Sequence, residues 1–293
     1  MDRILFGDNQ FFGVNHLSEE KARIQSIKFK DTNKIIEILD YVYEIGINTF
    51  MCTTYERVGE ICDHIRANSD KYKNFKIYPC MPYAHKYADS VTELGIFGTV
   101  KKYVGRNIIN SLVSGTKALV KNDFITIMEI LIDTEMFMFK NINTPVIFLQ
   151  NVVTDLILGL GMTDFLVEFG KYIKEKYNAE PGYISMNLPL LLDALKERGI
   201  ENPIICSSIN KINFRMSGGL ELYEKIIKEK QCRLIAMQVL AGGAIAPKDA
   251  FEYICKQDGI KSILFGASTK SHILESKKLI EEFDSIYNQN MID

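Results

Sequence analysis

Along the chain, short runs rich in Ile, Val, Phe and Tyr alternate with longer runs whose apolar residues recur every three or four positions. That alternation predicts βαβ units and a parallel sheet. The strand-like runs are ILFG (4–7), INTFMC (47–52), FKIYPCM (75–81), PVIFLQ (145–150), GYISMN (182–187), PIICSS (203–208), RLIAMQ (233–238) and SILFGA (262–267). Helical spacing is clear over 32–45, where Ile35, Ile38, Leu39, Val42 and Ile45 share a face. Asp31 or Thr32 is placed to cap its start and Gly46 to stop it. Further helices are expected over 56–67, 124–139, 163–177, 189–198, 217–230, 247–256 and 270–286. Eight strands with helices between them predict an α/β fold, a closed (β/α)8 TIM barrel. An open doubly wound sheet is the competing topology.

One connection breaks the rhythm. About sixty residues separate the third and fourth strands, far more than an ordinary βα connection needs. Residues 124–139 read as the expected barrel helix, and 86–122 as a helical insertion on the ligand-binding face. Residues 94–122 carry Lys101, Lys102, Arg106, Lys117 and Lys121 with no Asp or Glu. Three readings of this basic stretch stay open: a solvated helix face, a lid that attracts an anionic substrate, and a peripheral contact with an anionic membrane. No repeat, low-complexity tract or Pro/Gly/Ser-rich linker divides the chain, so residues 1–293 are expected to form a single barrel domain.

Composition narrows the function classes. Hydrophobic residues make up 47% and charged residues 25%, with a net charge of -2, which gives no global attraction for nucleic acid. The six cysteines form no C-x-x-C pair and are expected to be reduced and mostly buried. No signal-peptide pattern opens the chain and no stretch of about 18 uncharged apolar residues occurs. The expectation is a cytoplasmic protein without integral membrane association.

In a parallel barrel the residues just after each strand converge on one mouth. Here they include Asp8, Asn9, Gln10, Tyr55, Arg57, His85, Gln150, Asn151, Asn187, Asn210, Lys211 and Gln238, mostly amides and hydroxyl-bearing neighbours with few carboxylates. Such groups suit a hydroxyl-rich, sugar-like ligand, or else they satisfy loop backbone. Asp8, Asn9, Gln10, Gln150, Asn151, Asn210 and Lys211 are the candidate substrate-binding residues. No metal site is expected, because the four histidines include no His-x-His or His-x-x-x-His pair. G-x-S-x-G, Walker and G-x-G-x-x-G sequences are absent. MQVLAGGAIAP (237–247) places Gly242 and Gly243 after strand seven. LFGASTKSHILES (264–276) places Gly266, Ser268, Thr269 and Lys270 at a strand-to-helix junction. That junction reads either as an anion site or as ordinary turn chemistry with Ser268 or Thr269 as helix cap.

These segments resemble the aldo-keto reductase family. ILFGDNQFFG is similar to its first strand and glycine turn, and GINTFMCTTYERVGE to its Gly-Ile-Asn-x-x-Asp-Thr-Ala-x-x-Tyr stretch. ISMN is similar to its Gly-Val-Ser-Asn, while LAGGAI and LFGASTKSHILES are the closest matches. The resemblance implies NADP as cofactor. Asn187 would hold the nicotinamide amide, and Gln238, Gly242, Gly243, Gly266, Ser268, Thr269 and Lys270 would line the rest of the cofactor site. It also implies Tyr55 as the proton donor, assisted by His85 or Arg57. The family's other catalytic groups are missing: Met51 or Cys52 stands for the aspartate, Met81 for the lysine, and Gln150 or Asn151 for the histidine.

Two enzyme classes follow. One is a divergent, NADP-dependent oxidoreductase of aldo-keto reductase type, acting on a small, hydroxyl-rich or anionic metabolite with altered catalytic groups. The other is a non-redox lyase, isomerase or transferase acting on a phosphorylated or nucleotide-linked sugar, with Lys211 either a Schiff-base lysine or a solvated loop lysine. A non-catalytic binding protein on the same scaffold is the third possibility.

Overall fold

Strands β1 (Ile4–Gly7), β2 (Thr49–Thr53), β3 (Lys76–Met81), β4 (Val146–Leu149), β5 (Glu180–Ser185), β6 (Ile204–Ser208), β7 (Arg233–Met237) and β8 (Ile260–Phe265) pair in parallel in chain order. Strand β8 returns to β1, with Ile4 opposite Ile263 and Phe6 opposite Phe265, and closes the barrel. The computed structural model describes residues 1–15, 17–83 and 124–289. His85 and the expected insertion over 86–122 therefore lie outside the described residues, as does His16. Ten α-helices are present among them: α1 (Glu19–Lys28), α2 (Thr32–Glu44), α3 (Glu56–Ala67), α4 (Phe124–Met136), α5 (Asn151–Gly159), α6 (Asp164–Tyr177), α7 (Leu188–Glu197), α8 (Leu220–Glu229), α9 (Pro247–Cys255) and α10 (Lys270–Gln289).

Period-two alternation divides each strand between two cores. Leu5, Met51, Tyr78, Cys80, Phe148, Ile184, Cys206 and Ile235 pack together inside the barrel. Their strand neighbours, such as Phe6, Phe50, Cys52, Met81 and Leu149, pack outward beneath the helices. Ion pairs close the floor: Lys76 Nζ meets Asp2 at 2.7 Å and Arg233 meets Glu180 at 2.6 Å. The filled interior leaves function to the opposite end, where the βα loops lie.

Local chemistry explains the helix starts. Asp31 caps α2 by accepting from Asn33 N at 2.9 Å, and Gly46 follows that helix at φ +87°. Asn187, expected at a strand end, instead caps α7 by accepting from Leu190 N at 3.2 Å. Two helices fall where loops were expected. The first is α1, capped by Ser18 with Glu19 and Glu20 in its first turn and Lys28 in its last, a charge order that suits the helix dipole. The second is α5, laid beside the end of β5, where Asp155 accepts from Ser185 Oγ at 2.6 Å.

Candidate functional site

The first half of the mouth is built by the ends of β1, β2 and β3. Asp8 follows β1 directly and is buried; its carboxylate accepts from Thr53 N at 2.8 Å. Burial pushes its carboxyl up to about 7, only partly offset by the N–H groups of Thr53 and of Asp8 itself. Such a group carries and releases its proton near neutrality, the property that general acid–base chemistry needs. Cys52 and Cys80 lie close by, and burial, followed by the charge of Asp8, holds both thiols well above their ordinary range. They are inert protonated thiols rather than nucleophiles.

Tyr55 caps α3 at the next loop. Phe12 stacks on it at 4.0 Å between ring centroids, and the ring of Tyr83 packs on it at 4.7 Å. The ring is thus held between two aromatic neighbours, and the Tyr55 side chain is also hydrogen-bonded to that of Tyr83. Burial raises its phenol well above the usual tyrosine value, and Asp8 and Tyr83 push it further. A tyrosine that donates a proton near neutrality needs the opposite environment, a cation that lowers its pKa. Inside the barrel the position expected for an aspartate is Met51, and Cys80 is the interior neighbour at the end of β3 while Met81 faces outward. None of the three is a cation.

Arg57 does not reach into the mouth chemistry. Its guanidinium donates to the carbonyls of Phe29 at 2.5 Å, Lys30 at 3.3 Å and Phe11 at 3.4 Å, and lies 5.1 Å from the Phe12 ring. It ties the end of α1 to the start of α3. Sequence inspection missed Glu135 on α4, which is fully buried. Its carboxylate accepts from the Thr54 hydroxyl and from Tyr83 N at 3.0 and 3.2 Å. Only its position on an apolar helix could have drawn attention to it.

Across the mouth, β6 and β7 contribute a second polar group. Ser208 Oγ donates to Gln238 Oε1 at 2.8 Å, and Gln238 itself has φ +54°. Asn210 is buried and spent on its loop: Nδ2 donates to Phe214 O and Gln238 O, and Oδ1 accepts from Phe214 N. Gln150 is buried where β4 runs into α5, and Asn151 begins that helix. Asn9 is exposed and supplies its carbonyl to the turn at Phe12 and Val14. Lys211 is exposed beside Asp249 at 3.4 Å, so it lacks the desolvation that an amine nucleophile requires.

The ends of β7 and β8 test the fit of a dinucleotide. Close backbone approach at glycine is what a phosphate would exploit there. The chain's own side chains already take those approaches. A methyl on Gly266 would lie 2.1 Å from Gln10 Oε1, and one on Gly242 would lie 2.8 Å from Leu17 Cγ. Lys28 Nζ donates to Ser268 O at 2.5 Å. Thr269 caps α10, with His272 N 3.3 Å from its hydroxyl, and Lys270 sits 5.2 Å from the Tyr41 ring. In this arrangement the residues do not fit a dinucleotide laid along both turns.

Among the described residues no group of three His, Cys, Asp or Glu is arranged to hold a metal, and no helix is long and apolar enough to cross a membrane. A groove of about 740 Å³ opens between α4 and α6, at the floor end of the barrel rather than the mouth. Of its two carboxylates, Glu129 and Asp133, the latter is taken by the hydroxyls of Tyr172 at 2.6 Å and Tyr177 at 2.5 Å and by Lys176.

No protein-family model matches the sequence, and no curated protein matches it. Solved structures do resemble it. One is PA4992 of Pseudomonas aeruginosa, described as an aldo-keto reductase: TM-score 0.57, 12% identity, covering 96% of this chain and 90% of that one. Gox0644 without ligand aligns at TM-score 0.52 and 10% identity over 98% of this chain and 89% of its own. A Gox0644 variant in complex with NADPH aligns at TM-score 0.52 and 7% identity, over 95% and 83%. At these identities the likeness speaks for architecture alone: the chain has the barrel fold of those aldo-keto reductase structures.

Proposed function

We propose that this chain is a barrel enzyme that binds a small, hydroxyl-rich, sugar-like metabolite at its mouth and transfers a proton through Asp8. The observation that carries this reading is the environment of Asp8: buried at a strand end, held by backbone N–H groups, with burial pushing its carboxyl up to about 7. Tyr55 supplies a fixed hydroxyl to orient a substrate oxygen beside it, and Ser208 and Gln238 provide polar groups from the opposite wall. The reaction class is proton abstraction and return, as in an isomerase: a proton on the carbon beside a substrate carbonyl passes to the Asp8 carboxylate, the C–H electron pair moves onto the carbonyl oxygen, and the proton is returned to carbon. Incubating the protein with a panel of sugars and sugar phosphates in deuterated water tests it. Solvent deuterium should enter a substrate C–H bond with wild-type protein and not with Asp8→Asn. Equal incorporation with both would assign the proton transfer elsewhere.

A second reading is NADP-dependent redox on the same metabolite. It is favoured by two amines beside the glycine turns: Lys28 on Ser268 O, and Lys21 Nζ 4.0 Å from where a methyl on Gly243 would stand. It requires Leu17 and Gln10 to leave Gly242 and Gly266, because both now fill the approach a pyrophosphate would use.

A further inference from the structure

We propose that Glu135 is a positioning residue for the mouth, setting where the Tyr55 and Tyr83 hydroxyls stand relative to Asp8. The inference rests on the mouth being the reactive site, as argued above. Glu135 belongs to α4, outside the barrel wall, and its side chain is fully buried. Its hydrogen bonds to Thr54 and Tyr83 tie it to the protein wall. Its carboxylate joins two loops that share no sequence neighbourhood. One is the loop after β2, through the Thr54 hydroxyl; the other follows β3, through Tyr83 N.

Both contacts converge on one ring. Thr54 directly precedes Tyr55, and its backbone neighbour Thr53 donates its N–H to Asp8. Tyr83 places its ring on Tyr55 at 4.7 Å, while Phe12 stacks at 4.0 Å. Tyr55 is thus held by Phe12, by the ring of Tyr83 and, through the adjoining residue, by Glu135. A single carboxylate that accepts from both loops sets the spacing between them. Hydrogen bonds at low local dielectric are strong and directional, so they fix this geometry. A glutamine cannot reproduce the arrangement. Its carbonyl oxygen can accept from only part of the donor set, and its NH2 would face the Thr54 hydroxyl or the Tyr83 N–H.

The test reads the two phenols directly and needs no substrate. Protein labelled with ¹³C at the tyrosine ζ carbon gives one signal per tyrosine, and the Tyr55→Phe and Tyr83→Phe variants identify two of them. In otherwise wild-type protein, Asp8→Asn should shift the Tyr55 signal. In folded Glu135→Gln, both tyrosine signals should move, and the response of Tyr55 to Asp8→Asn should be lost. Thr54→Val serves where Glu135→Gln does not fold, since it removes only one of the two contacts; it should move the Tyr55 signal and leave the distant Tyr183 and Tyr223 signals in place. Unchanged Tyr55 and Tyr83 signals in either folded variant would overturn the proposal. Failure of the proton-transfer reading would show instead in the deuterium experiment, with these signals still moving.

Discussion

Gln10 and Gly266 are packed against each other so closely that the glutamine occupies the space of a side chain on residue 266: a methyl there would lie 2.1 Å from Gln10 Oε1. Gln10 cannot easily withdraw, because it is buried and its Nε2 donates to Gly7 O at 2.7 Å. Gly266→Ala should therefore destabilise the protein by about 1–3 kcal/mol, the usual cost of overpacking. The partner identifies itself in a double variant. Combining Gly266→Ala with Gln10→Ala should cost less than the sum of the two single changes, by roughly 0.5 kcal/mol or more. Additive unfolding free energies in urea would show that the two residues do not compete for one space.

Asp8 gives a signed pH dependence. Its carboxyl titrates near 3.8 in the unfolded chain and near 7 in the folded one. Below the first value both states bind the proton. Between the two the folded state alone keeps it, so stability falls as pH rises; above about 7 the loss is complete. The three-unit shift sets its size on the order of a few kcal/mol, about 4 at most. Asp8→Asn should abolish this slope, and the variant should be more stable than wild type above neutrality. Urea midpoints measured across this range check it. Parallel slopes for both proteins would place the titrating group elsewhere.

Arg57 and Tyr55 lie two residues apart and should behave differently. Arg57 holds three backbone carbonyls, so Arg57→Ala should lower stability by roughly 1.5–3 kcal/mol, as expected for hydrogen bonds to a charged group. Its effect on kcat/KM for the substrate found in the deuterium panel should stay within a few-fold. Tyr55→Phe keeps the ring between Phe12 and Tyr83 and loses only the hydroxyl. It should cut kcat/KM by roughly ten-fold, the scale of one lost orienting hydrogen bond, with little change in Tm. A large kinetic loss with Arg57→Ala would return that residue to the reacting centre.

These contrasts also show what the sequence makes legible. The eight strands and the helices at 32–44 and 56–67 are readable because their apolar residues repeat at the period of the element that buries them. Helix α1 is not, since none of its residues is buried and no stripe marks it; only Ser18 and the charges of its first and last turns betray it. Glu135 is one acidic residue on an apolar helix, and nothing in its spacing tells of the Thr54 and Tyr83 groups that barrel closure brings against it. The glycines at 242 and 266 are visible as turn residues, yet the sequence does not say that Leu17 and Gln10 would fill the space beside them. Spacing along the chain reports local periodicity, whereas both of these contacts are made by segments far apart in sequence.

The segment after β1 decides whether a nicotinamide nucleotide can bind. Leu17 covers Gly242, Gln10 covers Gly266, and Lys28 holds Ser268 O, so three residues of the segment after β1 lie against the turns of β7 and β8. A dinucleotide could enter only in a state with this segment displaced, and its apparent affinity would fall by the fraction of molecules in that state. A segment open in about one molecule in a hundred would weaken binding about a hundred-fold. Wild-type protein titrated with NADPH should accordingly show no saturation at micromolar concentration, followed by nucleotide fluorescence. Leu17→Ala with Lys28→Ala removes one cover and one latch while leaving Asp8, Tyr55 and Glu135 untouched. If the turns retain a phosphate site, affinity should rise at least ten-fold in that variant. If it does not rise, the site has been given over to packing, and the mouth works on its metabolite without a nucleotide. Micromolar binding by the wild type would show that the segment swings away at little cost and would favour the redox reading.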